Sequence, residues 1–120
     1  MALGRGSAMV ALMFLVLHSE MAHAATYTVG DANGWTFNIA GWPRGKRFRA
    51  GDTLVFNYSP GAHNVATVDK AGYSACKTPK GAKVYNSGSD KIKLAKGINY
   101  FICNFVGHCE SGTKIAIRAL

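Results

Sequence analysis

The sequence predicts an all-β protein, a Greek-key β-sandwich of seven to eight strands with at most a short helical segment. Short runs rich in Val, Ile, Tyr, Phe and Thr recur between clusters of Gly, Pro, Asn and Asp, which is the pattern of strands separated by turns. Many short strands at this spacing favour two packed sheets. A helical turn is expected only within residues 69–76.

The candidate strands follow one another from the start of the predicted domain to its end. The last of them alternates cleanly, with Ile115 and Ile117 on one face and charged or small side chains on the other. Turn signals lie at residues 31–34, 50–52, 59–61, 87–89 and 96–97. In chain order, the candidate strands are residues 26–29, 36–39, 47–49, 53–58, 63–68, 83–85, 90–94, 99–103 and 114–118.

Residues 1–24 have the pattern of a secretory signal peptide. Arg5 provides a positive start, residues 8–17 form an apolar run, and Ala22 and Ala24 are small residues at the positions that signal peptidase reads. A transmembrane helix is the alternative, but polar residues from His18 to Glu20 interrupt a run that is already shorter than the roughly 20 residues needed. Cleavage is therefore expected after Ala24.

The predicted mature chain, residues 25–120, is expected to be one domain and a monomer, secreted to the apoplast or cell wall. The formal net charge of the full sequence is +8, and the signal peptide removes one Arg and one Glu, so the mature chain keeps that charge. Outside the cell such a charge favours an acidic polysaccharide, an anionic lipid surface or an acidic protein. No nucleic-acid-binding motif is present, so nucleic acid is not an expected partner.

Three cysteines leave one thiol over after a single disulfide. Residues next to each other at the end of a strand point to opposite sides, so His108 and Cys109 are not expected to share a target. We therefore predict a Cys76–Cys109 disulfide and a free thiolate on Cys103. The crosslink closes a loop of about 34 residues, and in the chain-entropy model it stabilises the folded state by about 3.8 kcal/mol.

The free thiolate belongs to a C-x4-H pattern formed by Cys103 and His108, and His63 is the one other histidine after the signal peptide. One thiolate and two imidazoles are the equatorial ligands of a blue-copper site. The same residues could form part of a zinc site, or Cys103 could be a half-cystine beside a surface histidine. No nucleophile–base pair or carboxylate dyad is evident, so an enzyme is not expected.

Six stretches carry a more specific resemblance, which covers essentially all of residues 25–120. The chain resembles the plantacyanins, or plant basic blue proteins, of the phytocyanin group of cupredoxins. This resemblance implies a cupredoxin sandwich, one copper ion on His63, Cys103 and His108, a Cys76–Cys109 disulfide, and an extracellular one-electron carrier. The stretches are GWTFN at 34–38, WPRGKRFRAGD at 42–52, FNY at 56–58, HNV at 63–65, GAKVY at 81–85 and YFICNFVGHC at 100–109.

The chain departs from the family at the axial position of the metal. The family's axial methionine falls five residues after the second histidine, where this sequence has Thr113, and the related stellacyanins use glutamine there. A threonine oxygen is expected to stop short of a bond to copper. Three outcomes remain open: three-coordinate copper with a raised potential, entry of water beside the hydroxyl, or loss of copper function.

Other residues admit a functional and a structural interpretation. Asn64 could connect the two ligand loops by hydrogen bonds or simply favour a turn. The basic run at 44–49 could contact polyanions such as pectin or be a solvated turn. Asn57 begins a formal N-glycosylation motif, but we expect it to be mostly unmodified because it lies in a predicted strand and Pro60 follows.

The leading hypothesis is a one-electron copper carrier, in which the exposed edge of His108 passes the electron. The competing hypothesis is an extracellular binding or signalling module of the same fold with altered or lost copper redox function. The redox partner cannot be named from the sequence.

Overall fold

The computed structural model describes residues 23–120, which form seven strands and one short α-helix. Residues 1–22, and with them most of the predicted signal peptide, lie outside the described part of the chain. A single turn of 3-10 helix, Asp31–Asn33, follows the first strand. The strands are β1 Thr26–Thr28, β2 Thr53–Asn57, β3 Val65–Val68, β4 Val84–Tyr85, β5 Ser89–Lys93, β6 Gly97–Ile102 and β7 Lys114–Ala119, and the helix is α1 Lys70–Ala75.

The strands form two sheets that pack face to face. One sheet has the order β1-β2-β5 and the other has the order β4-β3-β6-β7. Strand β1 pairs with β2 in parallel, whereas β2–β5, β3–β4, β3–β6 and β6–β7 are antiparallel. Since strands that follow one another in sequence often lie in different sheets, the chain crosses repeatedly between the two layers. The prediction of an all-β sandwich with one short helix is confirmed.

The core lies between the two sheets and consists of alternate residues of the central strands. Leu54 and Phe56 project from β2, and Ile115 and Ile117 project from β7; all four are fully buried. Phe101 of β6 packs against Phe56, with the two ring centroids 5.2 Å apart. The alternation predicted for the last strand is therefore present, and burial of this apolar face stabilises the sandwich.

Two predicted strands are absent from the described part of the chain. Residues 36–39 form turns rather than a strand because Asn38 has a left-handed backbone (φ 57°) and because this segment binds the loop before β7. The amides of Asn38 and Ile39 donate to the carbonyl oxygens of Ser111 and Gly112. Residues 47–49 contribute only one bridge, between Phe48 and Ala119.

Helix α1 brings the predicted disulfide partner into place. The Asp69 side chain accepts a hydrogen bond from the Gly72 amide (2.7 Å) and so caps the start of the helix. The helix ends at Ala75, and the left-handed backbone of the next residue, Cys76 (φ 53°), turns the chain. Cys76 is bonded to Cys109, with 5.6 Å between their Cα atoms. This confirms the predicted disulfide and fastens the loop before β7 to the helix.

No helix within residues 23–120 has both the length and the apolar character needed to cross a bilayer.

Candidate metal centre

Three side chains from separate segments converge at one end of the sandwich. His63 lies in the turn before β3, Cys103 directly follows β6, and His108 lies in the loop between β6 and β7. The Cys103 sulfur and one ring nitrogen of each histidine lie within 4.8 Å of one another. The Cys103 Sγ is 3.6 Å from His108 Nδ1, which is 3.0 Å from His63 Nδ1. The structure thus brings together the three residues that the sequence predicted as ligands.

The three side chains differ in exposure. Cys103 is fully buried, His63 is 7% exposed, and His108 is half-buried. Burial lowers the pKa of His63, and the nearby His108 lowers it further. Both effects favour the neutral imidazole, which is the form that binds a metal ion.

Aromatic rings pack around the two histidines. The Phe37 ring contacts both of them edge-on, with centroid distances of 5.1 Å to His63 and 4.8 Å to His108. Phe105 lies on another side of His108 at 5.5 Å. Phe37 is 43% exposed, so one of the apolar rings that contact His108 is accessible from outside. These contacts restrict the orientation of both imidazoles.

The loops that carry His63 and Cys103 are joined by hydrogen bonds from Asn64. Its side chain donates to the Asn104 side-chain oxygen (2.6 Å) and accepts from the Asn104 amide (2.9 Å). Its own backbone N–H donates to the Cys103 sulfur (3.4 Å). The Asn64 carbonyl accepts from the Trp35 indole (2.9 Å), which fixes the same segment to the core. The predicted hydrogen-bonded connection between the two ligand loops is therefore present.

Thr113 lies beside the group at the start of β7. Its carbonyl accepts from the Cys103 amide (3.0 Å), and its own amide donates to the His108 carbonyl (3.0 Å). The side chain is fully buried, and its hydroxyl has no hydrogen-bond partner within residues 23–120. A buried hydroxyl without a hydrogen-bond partner is uncommon, and among residues 23–120 the Thr78 hydroxyl shares this feature.

The backbone before Thr113 depends on glycine. Gly112 has a φ of 92°, and a Cβ on it would lie 2.8 Å from the Asn38 nitrogen. This close approach lets residues 37–39 pack against the ligand loop, and it is how Phe37 reaches both histidines.

Phe37 is a site residue that the sequence did not predict. The sequence pattern places it in a strand, far along the chain from the three ligands, and nothing in its neighbourhood signals contact with them. The basic run at 44–49 is not part of this site.

The comparisons with known proteins agree with this geometry. Residues 33–113, more than half of the chain, match the family of plastocyanin-like domains. The basic blue protein of Arabidopsis thaliana is 57% identical over 129 residues, covering 100% of this chain and 100% of that protein. The basic blue protein of Cucumis sativus is 65% identical over 96 residues, covering 80% of this chain and 100% of the relative.

A solved structure gives the same result for the fold. The cucumber basic protein, a blue copper protein, superposes with a TM-score of 0.78 at 64% identity, covering 79% of this chain and 99% of the cucumber chain. Together with the grouped thiol and imidazoles, these matches show that the chain belongs to the basic blue protein (plantacyanin) family of cupredoxins.

Proposed function

We propose that this protein is a secreted blue copper protein that carries one electron at a time, with one copper ion held by His63, Cys103 and His108. The observation that carries the proposal is the convergence of one buried thiol and two imidazoles within 4.8 Å. This donor set is soft and contains no carboxylate, which suits copper. When bound, the ion alternates between Cu(I) and Cu(II) and thereby stores and releases one electron.

The surrounding residues support this role because their contacts hold the three donors in place. The Asn64 amide donates a hydrogen bond to the Cys103 sulfur and so fixes its position. The disulfide at Cys109 anchors the residue next to His108. A site whose ligands move little between the two oxidation states transfers electrons with little reorganisation.

We infer that electrons enter and leave at the exposed edge of His108. His63 is 7% exposed and Cys103 is fully buried, whereas His108 is half-buried beside the exposed ring of Phe37. An apolar ring at this place allows a redox partner to approach the imidazole closely and exclude water. The protein itself has no substrate to transform in this proposal.

At the axial position we propose that Thr113 makes no strong bond to copper. Full burial of this side chain supports a site without bulk water and opposes the alternative in which water enters beside the hydroxyl. Weak axial donation favours Cu(I), so the reduction potential is expected to exceed that of a relative with an axial methionine.

We further propose that the signal peptide is removed after Ala24 and that the mature protein, residues 25–120, acts outside the cell. The contacts at Ala25 support this boundary: its carbonyl accepts from the Thr53 amide (2.9 Å), and strand β1 begins at the next residue, Thr26. Amino-terminal sequencing of the secreted protein tests the boundary, and a start at another residue contradicts it.

A second candidate function, binding of an acidic cell-wall polysaccharide, is favoured by one surface feature. Arg44, Lys46 and Arg118 line a depression of about 290 Å³ whose floor includes Phe48. The Lys46 ammonium donates to the Trp42 carbonyl (3.0 Å) and lies 4.9 Å from the Trp42 ring centroid, so its position is restrained. A polyuronate offers carboxylates for these cations and sugar rings for the apolar surface.

The two candidates are separated by experiments on one preparation. Stoichiometric addition of Cu(II) to the metal-free protein is expected to produce an intense thiolate-to-copper band toward the red end of the visible spectrum. Cys103→Ser removes the thiolate and is expected to abolish the band. A correctly folded wild-type protein without the band contradicts the electron-carrier proposal.

Polygalacturonate binding to the copper-free protein tests the second candidate. The double variant Arg44→Gln/Arg118→Gln is expected to bind more weakly than Arg47→Gln/Arg49→Gln, which loses the same charge elsewhere. Equal losses in both variants show that only net charge matters, and they contradict a specific site.

A further inference from the structure

The Asp52 carboxylate is buried although it has no function in the metal centre. It is 2% exposed, and a carboxylate is rarely buried this far without partners that compensate for lost hydration. Its Oδ2 accepts from the Arg49 amide (2.8 Å), and its Oδ1 accepts from the Ala25 nitrogen (2.9 Å). One of its two partners is thus the first nitrogen of the predicted mature chain.

Ala25 is also the point at which the chain becomes fixed to the sandwich. Its nitrogen donates to the side chain of Asp52, and its carbonyl accepts from the amide of Thr53, the residue that follows Asp52. Strand β1 starts at Thr26, which pairs with Thr53. Asp52 and the first residue of β2, Thr53, therefore fix the nitrogen and the carbonyl of Ala25, respectively.

We propose that Asp52 is the binding site for the α-ammonium group that removal of the signal peptide creates on Ala25. The inference rests on the proposed cleavage after Ala24. Hydrolysis of the Ala24–Ala25 bond by signal peptidase consumes one water molecule, leaving a carboxylate on Ala24 and an ammonium group on Ala25. The hydrogen bond from a neutral amide to the Asp52 carboxylate then becomes an ion pair between an ammonium and a carboxylate, which adds Coulomb attraction to the hydrogen bond.

The charges around the site explain why a carboxylate is needed there. Arg47, Arg49 and the exposed tail at His23 line the same depression as Ala25 and Asp52. A new positive charge next to two arginines is unfavourable by itself, particularly in a chain of net charge +8. Among the described residues that line this depression Asp52 alone is acidic, so it offsets the repulsion.

This site lies at the end of the sandwich opposite to the metal centre. Asp52 precedes the first residue of β2, whereas the chain reaches His63 after the last residue of that strand, Asn57. Five strand residues span roughly 16 Å. A change in the pairing of Ala25 with Asp52 should therefore alter stability without altering the copper spectrum, and this distinguishes it from damage to the metal centre.

The test compares two chain starts in two backgrounds. One protein begins at Ala25 with a free amine, and the other carries Gly-Ser-Ala24 before Ala25, which keeps the amide donor but moves the charge roughly 10 Å away. Both are made with Asp52 and with the substitution Asp52→Asn, and thermal unfolding of the metal-free proteins is measured near neutral pH. With Asp52 present, we expect the protein that begins at Ala25 to have a Tm about 4–8 °C higher than the protein with the Gly-Ser-Ala24 extension. The substitution D52N removes the carboxylate charge, so it should abolish that difference.

Two results overturn the proposal: equal Tm values for the two starts with Asp52 present, or an unchanged difference in the D52N pair. Recombinant chains with defined starts separate this test from the cleavage proposal. If amino-terminal sequencing finds another mature start while the Tm difference appears, only the cleavage after Ala24 fails.

A pH series on the two Asp52 proteins needs no variant, so it remains decisive even if D52N fails to fold. An ammonium paired with a carboxylate holds its proton more tightly in the folded state, and free α-amino groups lose theirs at about 7.7–8.0. The higher Tm of the protein that begins at Ala25 should be fully present at pH 6 and should be lost as the pH rises above the free α-amino pKa of about 7.7–8.0. Tyr27, Arg47, Arg49 and Asp52 face the site in both proteins, so their contributions cancel. A constant advantage up to about pH 10 contradicts the proposal.

Discussion

Replacement of Asn64 by alanine tests whether the copper site depends on the connection between the two ligand loops. Asn64 is 7% exposed, and the substitution removes both side-chain hydrogen bonds to Asn104 while leaving the backbone N–H that faces Cys103. Each bond contributes about 1 kcal/mol, and the abandoned groups of Asn104 add a desolvation cost. We expect the free energy of unfolding to fall by about 2–3 kcal/mol, which corresponds to a fall of roughly 10–20 °C in Tm for a domain of this size.

The same substitution should also weaken copper binding. Substitution of a residue that orients a metal ligand typically lowers metal affinity by about 10–100-fold, and we expect Asn64→Ala to lower the affinity for copper by about as much. Competition with a chromophoric chelator measures the affinity, and the thiolate-to-copper band reports the geometry at Cys103. The predicted result is weaker binding together with a shifted or less intense band.

Asn99→Ala is the matched control for this experiment. The Asn99 side chain accepts from the Ala95 amide (3.0 Å) and donates to the Ala95 carbonyl (2.8 Å), at the end of β6 away from Cys103. This variant should lose stability but keep its copper affinity and spectrum. If Asn64→Ala also keeps both, the connection only stabilises the fold, and the reasoning about ligand positioning is refuted.

Three further predictions concern other parts of the molecule. Thr113→Met should lower the reduction potential in a redox titration, and an unchanged or higher potential contradicts weak axial donation in the native protein. Gly112→Ala should cost about 2–3 kcal/mol in denaturant unfolding because a Cβ there would meet Asn38, whereas Gly97→Ala, with a similar φ but open space, should cost about 1 kcal/mol. Burial and the hydrogen bond to Asp90 raise the pKa of Tyr58 to about 12, so near-ultraviolet titration should find one tyrosine that ionises near that pH. The stability that this tyrosine contributes should be complete below pH 10 and lost between about pH 10 and 12.

The grouping of His63, Cys103 and His108 was predictable because the chemistry of a thiolate–imidazole site constrains the sequence so strongly. Residues 25–120 contain two histidines and three cysteines, and the proximity of Cys103, His108 and Cys109 leaves few arrangements that satisfy both a disulfide and a metal site. Strand β7 was equally predictable, since the alternation of Ile115 and Ile117 follows directly from burial of one face.

What could not be predicted depends on contacts between distant segments. Residues 36–39 contain Thr, Phe and Ile, which favour strands, but their amides bind the carbonyls of Ser111 and Gly112 instead of a neighbouring strand. The position of Phe37 against both histidines follows from that contact, so local patterns carry no sign of it. The role of Asp52 is hidden for the same reason, because its partner Ala25 lies 27 residues earlier.

Spectroelectrochemical titration of the copper-loaded protein tests the central proposal most directly. We expect the thiolate-to-copper band to disappear on reduction, to return on oxidation and to follow a one-electron Nernst curve, and we expect Cys103→Ser to show no such band. A copper-loaded, folded protein whose band is absent or does not respond to potential would contradict the assignment of His63, Cys103 and His108 as an electron-carrying copper site.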